Sequence, residues 1–127
     1  MFRIGIGGSR FFDDYYFFQN KLDSVIAKVM CCDNIIILSG HCRGTDMMAE
    51  KYAKERGYSL ELYPAKWSVY GRCAGVIRNK EIVNNSDLIV AFWDGKSKGT
   101  KNLIDNAISL SKPYIIIYID SKPPTKL

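Results

Sequence analysis

The chain has 127 residues, 47% of them hydrophobic and 24% charged, with a formal net charge of +5. That length suits one domain with a real core. No apolar run reaches membrane-spanning length, and no signal-peptide h-region follows Met1, so a cytoplasmic location is expected and a membrane partner is not. The modest basic excess suits an anionic ligand, nucleotide or nucleic acid, without choosing between them.

The first apolar stretch, Phe2 to Gly7, is a short strand with Ile4 and Ile6 on one face. A turn follows at Gly7-Gly8-Ser9-Arg10. The first helix is expected from about Tyr15 to Met30, with Asp13 or Asp14 as cap and Phe18, Leu22, Val25, Ile26 and Val29 as its apolar face. Phe11, Phe12, Tyr15, Tyr16, Phe17 and Phe18 crowd this entry; such a cluster serves either as core or as a stacking platform for a base.

The second strand, Asn34 to Leu38, is a continuous apolar run. It leads into Ser39-Gly40-His41-Cys42-Arg43-Gly44-Thr45-Asp46, and then a helix that stops at Gly57. Tyr58 to Tyr63 alternates, as a half-exposed edge strand does. Residues 64–71 read as an irregular connection and Arg72 to Asn84 as a third helix. Asp87 to Phe92 is apolar without alternation, the pattern of a strand buried on both faces. A third glycine turn, Trp93 to Thr100, precedes a helix marked by Leu103, Ile104, Ala107 and Ile108. Pro113 opens the last strand, Tyr114 to Ile119.

Strand and helix alternate throughout, which predicts an α/β fold: a single Rossmann-like three-layer domain over residues 1–120, with a short basic tail, 121–127, carrying Lys122 and Lys126. The expected sheet has five mostly parallel strands in the order 3-2-1-4-5, with helices on both faces. The last strand is then an edge, yet apolar on both sides; a covering helix or a second copy would bury it, so a homo-oligomer is one expectation.

Ligands in such sheets bind beyond the C-terminal strand ends, where all three glycine turns fall. Strand-to-helix turns rich in Gly and hydroxyls present backbone N–H groups to anions. In the first turn, Gly8 permits close approach, Ser9 can donate to a phosphate oxygen and Arg10 can add a bidentate contact. In the second, Ser39, Gly40 and Gly44 shape the loop, Arg43 is the expected charge partner, and Asp46 either steadies the helix start or accepts from ribose or base. In the third, Gly95, Gly99 and Thr100 form the expected phosphate turn. Arg78 and Asn79 interrupt an apolar helical pattern and are expected to face the crevice, and Trp67 is either lid or packing. The four cysteines, Cys31, Cys32, Cys42 and Cys73, contain no CxxC pair and share the chain with a single histidine, His41. A metal site is therefore not expected, and the only cofactor-like molecule anticipated is the nucleotide-type ligand itself.

Taken in order, Gly8-Ser9-Arg10, Ser39-Gly40…Arg43-Gly44-Thr45-Asp46, Ala65-Lys66-Trp67, Ala74-Gly75…Arg78-Asn79 and Gly95…Gly99-Thr100 resemble the YspA-like branch of the SLOG superfamily, over roughly Arg3 to Ile119. That superfamily joins the DNA-processing protein DprA and the LOG phosphoribohydrolases. The resemblance implies a pocket for nucleotides or nucleotide-derived ligands in a sensor or nucleotide-processing domain. Two alternatives come with it: a LOG-like hydrolase of an N-glycosidic or phosphate bond, and a DprA-like binder of single-stranded nucleic acid. LOG enzymes carry PGGxGTxxE with a catalytic Glu. Here Gly99-Thr100 matches the GT pair and the Glu position falls on Leu103, which cannot transfer a proton. The catalytic residues, if any, stay unassigned.

Overall fold

The fold grows from three strands with no polar face. In a computed structural model, which describes residues 1–29 and 34–120, β1 (Phe2–Gly8), β2 (Ile35–Ser39) and β4 (Leu88–Trp93) form the centre of the sheet. β3 (Ser59–Leu62) and β5 (Tyr114–Tyr118) are its edges. The order is β3-β2-β1-β4-β5, parallel at every pairing. Expected helix end Met30, the Cys31-Cys32 pair and tail 121–127 lie outside the described residues.

Strand alternation then splits the core in two. Ile4, Ile6, Ile37, Val90 and Phe92 point to one face, where α1 (Tyr15–Val29) and α2 (Thr45–Arg56) cover them with Phe18, Leu22, Ile26, Ala49 and Tyr52. Leu38 and Ile89 point to the other, where α4 (Ala74–Asn84) and α5 (Lys98–Ser109) supply Ile82, Val83, Leu103 and Ala107. The aromatic cluster divides accordingly. Phe12 and Phe18 are core and pack on Phe92, with ring centroids 5.8 and 4.7 Å away, whereas Phe11 and Tyr16 are exposed.

Helix ends follow their side chains. Asp14 rather than Asp13 caps α1, its Oδ1 accepting from Phe17 N at 3.1 Å. Gly57 closes α2 in the left-handed region, at φ 73°. An Asp23 carboxylate clasps the two helices, accepting from Arg56 and from the Tyr52 hydroxyl. The Arg56 bond holds Asp23 below the usual carboxylate range.

Several boundaries differ from the expected ones. β1 runs one residue further and takes Gly8 out of the first turn, and β4 takes Trp93 out of the third, because the parallel ladder continues to Gly8↔Phe92 and Trp93↔Tyr118. The connection before the third helix is not irregular: it holds a single-turn helix α3 (Trp67–Tyr70) and a 3₁₀ turn, Gly71–Cys73. α4 therefore starts at Ala74 rather than Arg72. β5 is an edge, as expected, and its Ile115 and Ile117 pack against the α1/α2 side while Tyr114 and Tyr118 stay exposed. Among the described residues no helix is long and apolar enough to cross a membrane.

Candidate functional site

The chain reverses its direction of winding between β1 and β4, so the crevice at their C-terminal ends is the topological switch point. The first turn enters it directly from β1. Ser9 N donates to Phe92 O at 3.2 Å, and Ser9 Oγ accepts from Phe11 N at 3.2 Å, which folds the turn back on itself. The Ser9 carbonyl accepts from Thr45 N at 3.2 Å and Thr45 Oγ1 at 2.9 Å. The first amide of α2 is thus satisfied by protein rather than offered to an anion. Gly44, at φ 79°, permits this docking: a Cβ there would lie 2.5 Å from the Arg10 carbonyl oxygen.

The second turn is organised by side chains reaching up from the helices. Asp46 Oδ2 accepts from Cys42 N at 3.2 Å. Arg78, from α4, donates through Nη1 to Gly40 O at 2.7 Å and through Nε to Asn79 Oδ1 at 2.9 Å. Asp46 is only 8% exposed. Burial pushes its carboxyl up to about 6, against the opposing pull of the Arg78 charge and the Cys42 N–H bond. Beneath the loop Glu50 is also buried; its Oε2 lies 2.9 Å from His41 Nδ1 and 3.1 Å from the Ser39 hydroxyl.

Hydroxyl and carboxylate turns build the third loop. Asp94 Oδ1 accepts from Lys96 N and Ser97 N, both at 2.8 Å. Ser97 caps α5, its Oγ accepting from Thr100 N at 3.4 Å and Thr100 Oγ1 at 3.1 Å. Asn79 Nδ2 donates to Gly99 O at 3.2 Å and Asn102 Oδ1 at 2.9 Å, tying α4 to the start of α5.

The three turns enclose a cavity of about 370 Å³, a size typical of small-molecule sites. Of the residues expected to bind ligand, Gly8, Ser9, Arg10, Gly40, Asp46, Arg78, Asn79, Gly99 and Thr100 line it. Ser39, Arg43, Gly44 and Gly95 do not. Ser39 is buried below the loop, Gly44 packs on the first turn, and Arg43 lies over the Phe11 ring, 5.8 Å from its centroid. Phe11, Cys42, Lys96 and Ser97 line the cavity beyond the expected set. Their turns were evident from Gly and hydroxyl content; which side chains face inward depends on hydrogen bonds that cross between loops. Arg10, Arg78 and Lys96 set positive charge against Asp46 and Asp94. Leu103 and Ile82 supply apolar floor. Leu103 sits so close to β1 that a Cβ on Gly7 would lie 2.5 Å from its Cδ2. Trp67 stands outside the lining, its ring edge 3.5 Å from where a Gly75 Cβ would be.

Known proteins resemble this chain in fold or in sequence. Pneumococcal DNA processing protein A (DprA, Streptococcus pneumoniae) superposes over 91% of this chain and 50% of its own, at 14% identity and TM-score 0.71. TM1055, a structural-genomics target, superposes over 90% of this chain and 72% of its own, at 16% identity and TM-score 0.64. DprA from Helicobacter pylori, solved for its single-stranded DNA binding mode, superposes over 91% of this chain and 64% of its own, at 19% identity and TM-score 0.58. These identities speak for a common fold. In sequence, the Gene 61 protein of Mycobacterium phage D29 is 33% identical over an alignment 87 residues long that covers 64% of this chain and 70% of the phage protein. The model of the YAcAr family matches residues 2–70, from β1 through both of the first two turns. The chain belongs to the YspA, cpYpsA-related SLOG family.

Proposed function

We propose that this chain binds a nucleotide or nucleotide-derived ligand at the C-terminal strand ends, as a sensor or nucleotide-processing domain. One observation carries the reading: three strand-end turns meet around a single cavity of about 370 Å³ lined by Arg10, Arg78 and Lys96. In this reading the phosphate sits on the Gly95–Thr100 turn at the start of α5, where the helix dipole and Lys96 favour negative charge, although Asp94 Oδ1 and Ser97 Oγ already take the Lys96, Ser97 and Thr100 amides. Asp46 and Asn79 face ribose or base. Leu103 lines the cavity and stands at the sequence position of the Glu in the LOG motif, which favours binding over LOG-type cleavage.

A thermal-shift panel tests this: AMP, GMP, ADP-ribose, NAD, cyclic and linear dinucleotides, and a short single-stranded oligonucleotide. A ligand at about 100 times its Kd stabilises by roughly 2.7 kcal/mol, a readily visible rise in Tm. The expected result is a rise with one mononucleotide class that Arg10→Ala removes. No rise with any nucleotide refutes the proposal. A rise with the oligonucleotide alone, lost steeply with salt, transfers the site to nucleic acid, the activity named for the Helicobacter pylori neighbour. Release of free base from a bound mononucleotide moves it to the hydrolases.

A further inference from the structure

Phe11 stands apart from the aromatic cluster to which it belongs. Its neighbour Phe12 is 5% exposed and stacked on Phe92, at 5.8 Å and 19° between planes. Phe11 is 44% exposed and lines the cavity. Leaving a phenylalanine so open forfeits much of its burial energy, so the core does not account for its position. The turn nonetheless holds it in place. Phe11 N donates to Ser9 Oγ at 3.2 Å, Phe12 anchors the chain just beyond it, and the Arg43 guanidinium lies 5.8 Å from the Phe11 ring centroid. Arg43 does not line the cavity. The ring is therefore bounded by a cation outside the cavity and by the cavity itself, a cation–π contact that restrains it.

We propose that Phe11 is the base-stacking wall of the site, with Arg43 as the residue that positions it, so that the ligand class is a nucleotide with its aromatic base intact rather than a sugar phosphate. The inference rests on the nucleotide reading above and sharpens it. Stacking is tolerant of base identity, because every base has a π-face. Affinity from Phe11 is accordingly shared by purines and pyrimidines, and selection among bases falls to the polar groups of the cavity, Asp46 and Asn79.

Calorimetric titration of AMP, GMP, CMP, UMP and ribose 5-phosphate into wild type, Phe11→Ala, Phe11→Trp and Arg43→Ala tests it, each variant first checked by its melting curve. Phe11→Ala is expected to weaken the best-bound mononucleotide on the order of ten-fold while leaving ribose 5-phosphate within about two-fold of wild type. Phe11→Trp is expected to restore the affinity and, as a third tryptophan beside Trp67 and Trp93, to add fluorescence over wild type that the nucleotide quenches. Arg43→Ala is expected to weaken the mononucleotide and not the sugar phosphate, a split that a loss of charge attraction would not produce. Equal effects of Phe11→Ala on both ligands, or wild-type binding of ribose 5-phosphate as tight as that of every mononucleotide, overturn the stacking role and leave the nucleotide pocket standing. Binding of none of the four mononucleotides overturns the stacking role too, and the wider panel then decides the pocket separately.

Discussion

Arg78 donates to the carbonyl oxygen of Gly40 at 2.7 Å, and by that bond α4 is latched across the cavity to the loop after β2. The latch needs a glycine. A Cβ at residue 40 would lie 2.5 Å from Arg78 Nη1 and 2.9 Å from Asp46 Oδ2.

Gly40→Ala is therefore expected to act on binding more than on folding. The clashing atoms are the ends of side chains, and Arg78 is long enough to swing away. Overpacking of this kind costs about 1 kcal/mol, a small change in Tm. Displacing the guanidinium from the cavity wall removes a charge from the site, and nucleotide affinity measured by calorimetry should fall about ten-fold or more. A variant that binds as well as wild type would detach Arg78 from the site.

Asp46 makes stability depend on pH in an unusual direction. Its carboxyl is pushed up to about 6 by burial, so the folded chain holds that proton more tightly than the unfolded chain does. Acidification from about pH 6.5 towards 4 should then raise the unfolding free energy, by about 3 kcal/mol at most from this group. Asp23 has the opposite sign but acts lower, since Arg56 holds it below the ordinary carboxylate range and its contribution is lost only as pH falls through that lowered value. Denaturant unfolding at pH 7 and pH 5 should show the gain in wild type and a smaller one in Asp46→Asn. Wild-type stability that is flat or falling over this interval, and unchanged by the substitution, contradicts the assignment.

The floor of the cavity is a packing contact that can be tested by paired substitution. Gly7→Ala places a methyl 2.5 Å from Leu103 Cδ2, so the Leu103 side chain, 3% exposed, must shift towards the cavity it lines. The expected cost is about 1–3 kcal/mol. Leu103→Ala should cost about 2–5 kcal/mol through the cavity it leaves. Because the two changes compensate in volume, the double variant should be more stable than the sum of the two losses allows. Strict additivity in urea melts would show that the two residues do not press on each other.

Much of the architecture was legible because it depends on local pattern. Apolar runs without alternation at Ile35–Leu38 and Leu88–Phe92 are what a strand covered on both faces requires. Interleaved helices with Gly57 as a stop leave the parallel, right-handed winding as the natural solution. The same winding places every strand-to-helix turn at one end of the sheet, so residues far apart in the chain, such as Ser9, Gly40 and Thr100, share one cavity. Spacing also marked Arg78 and Asn79, polar residues in an otherwise apolar helical stripe.

What the order of residues left undecided were the directions of individual side chains. Arg43 and Arg10 look equivalent as letters: each is an arginine in a glycine-bearing turn. The docking of Ser9 O on the Thr45 amide fixes how the first two turns meet, and it leaves Arg10 on the cavity wall and Arg43 over Phe11. Phe11 and Phe12 are adjacent and chemically identical, yet one is wall and the other core, because Phe92 lies beneath only the second. Asp46 offers two roles from sequence; its burial between Cys42 N and the Arg78 charge is a tertiary fact. Local periodicity specifies which face of an element is buried. Which polar side chain enters a cavity is set by contacts between loops distant in the chain, and only the folded molecule contains those contacts.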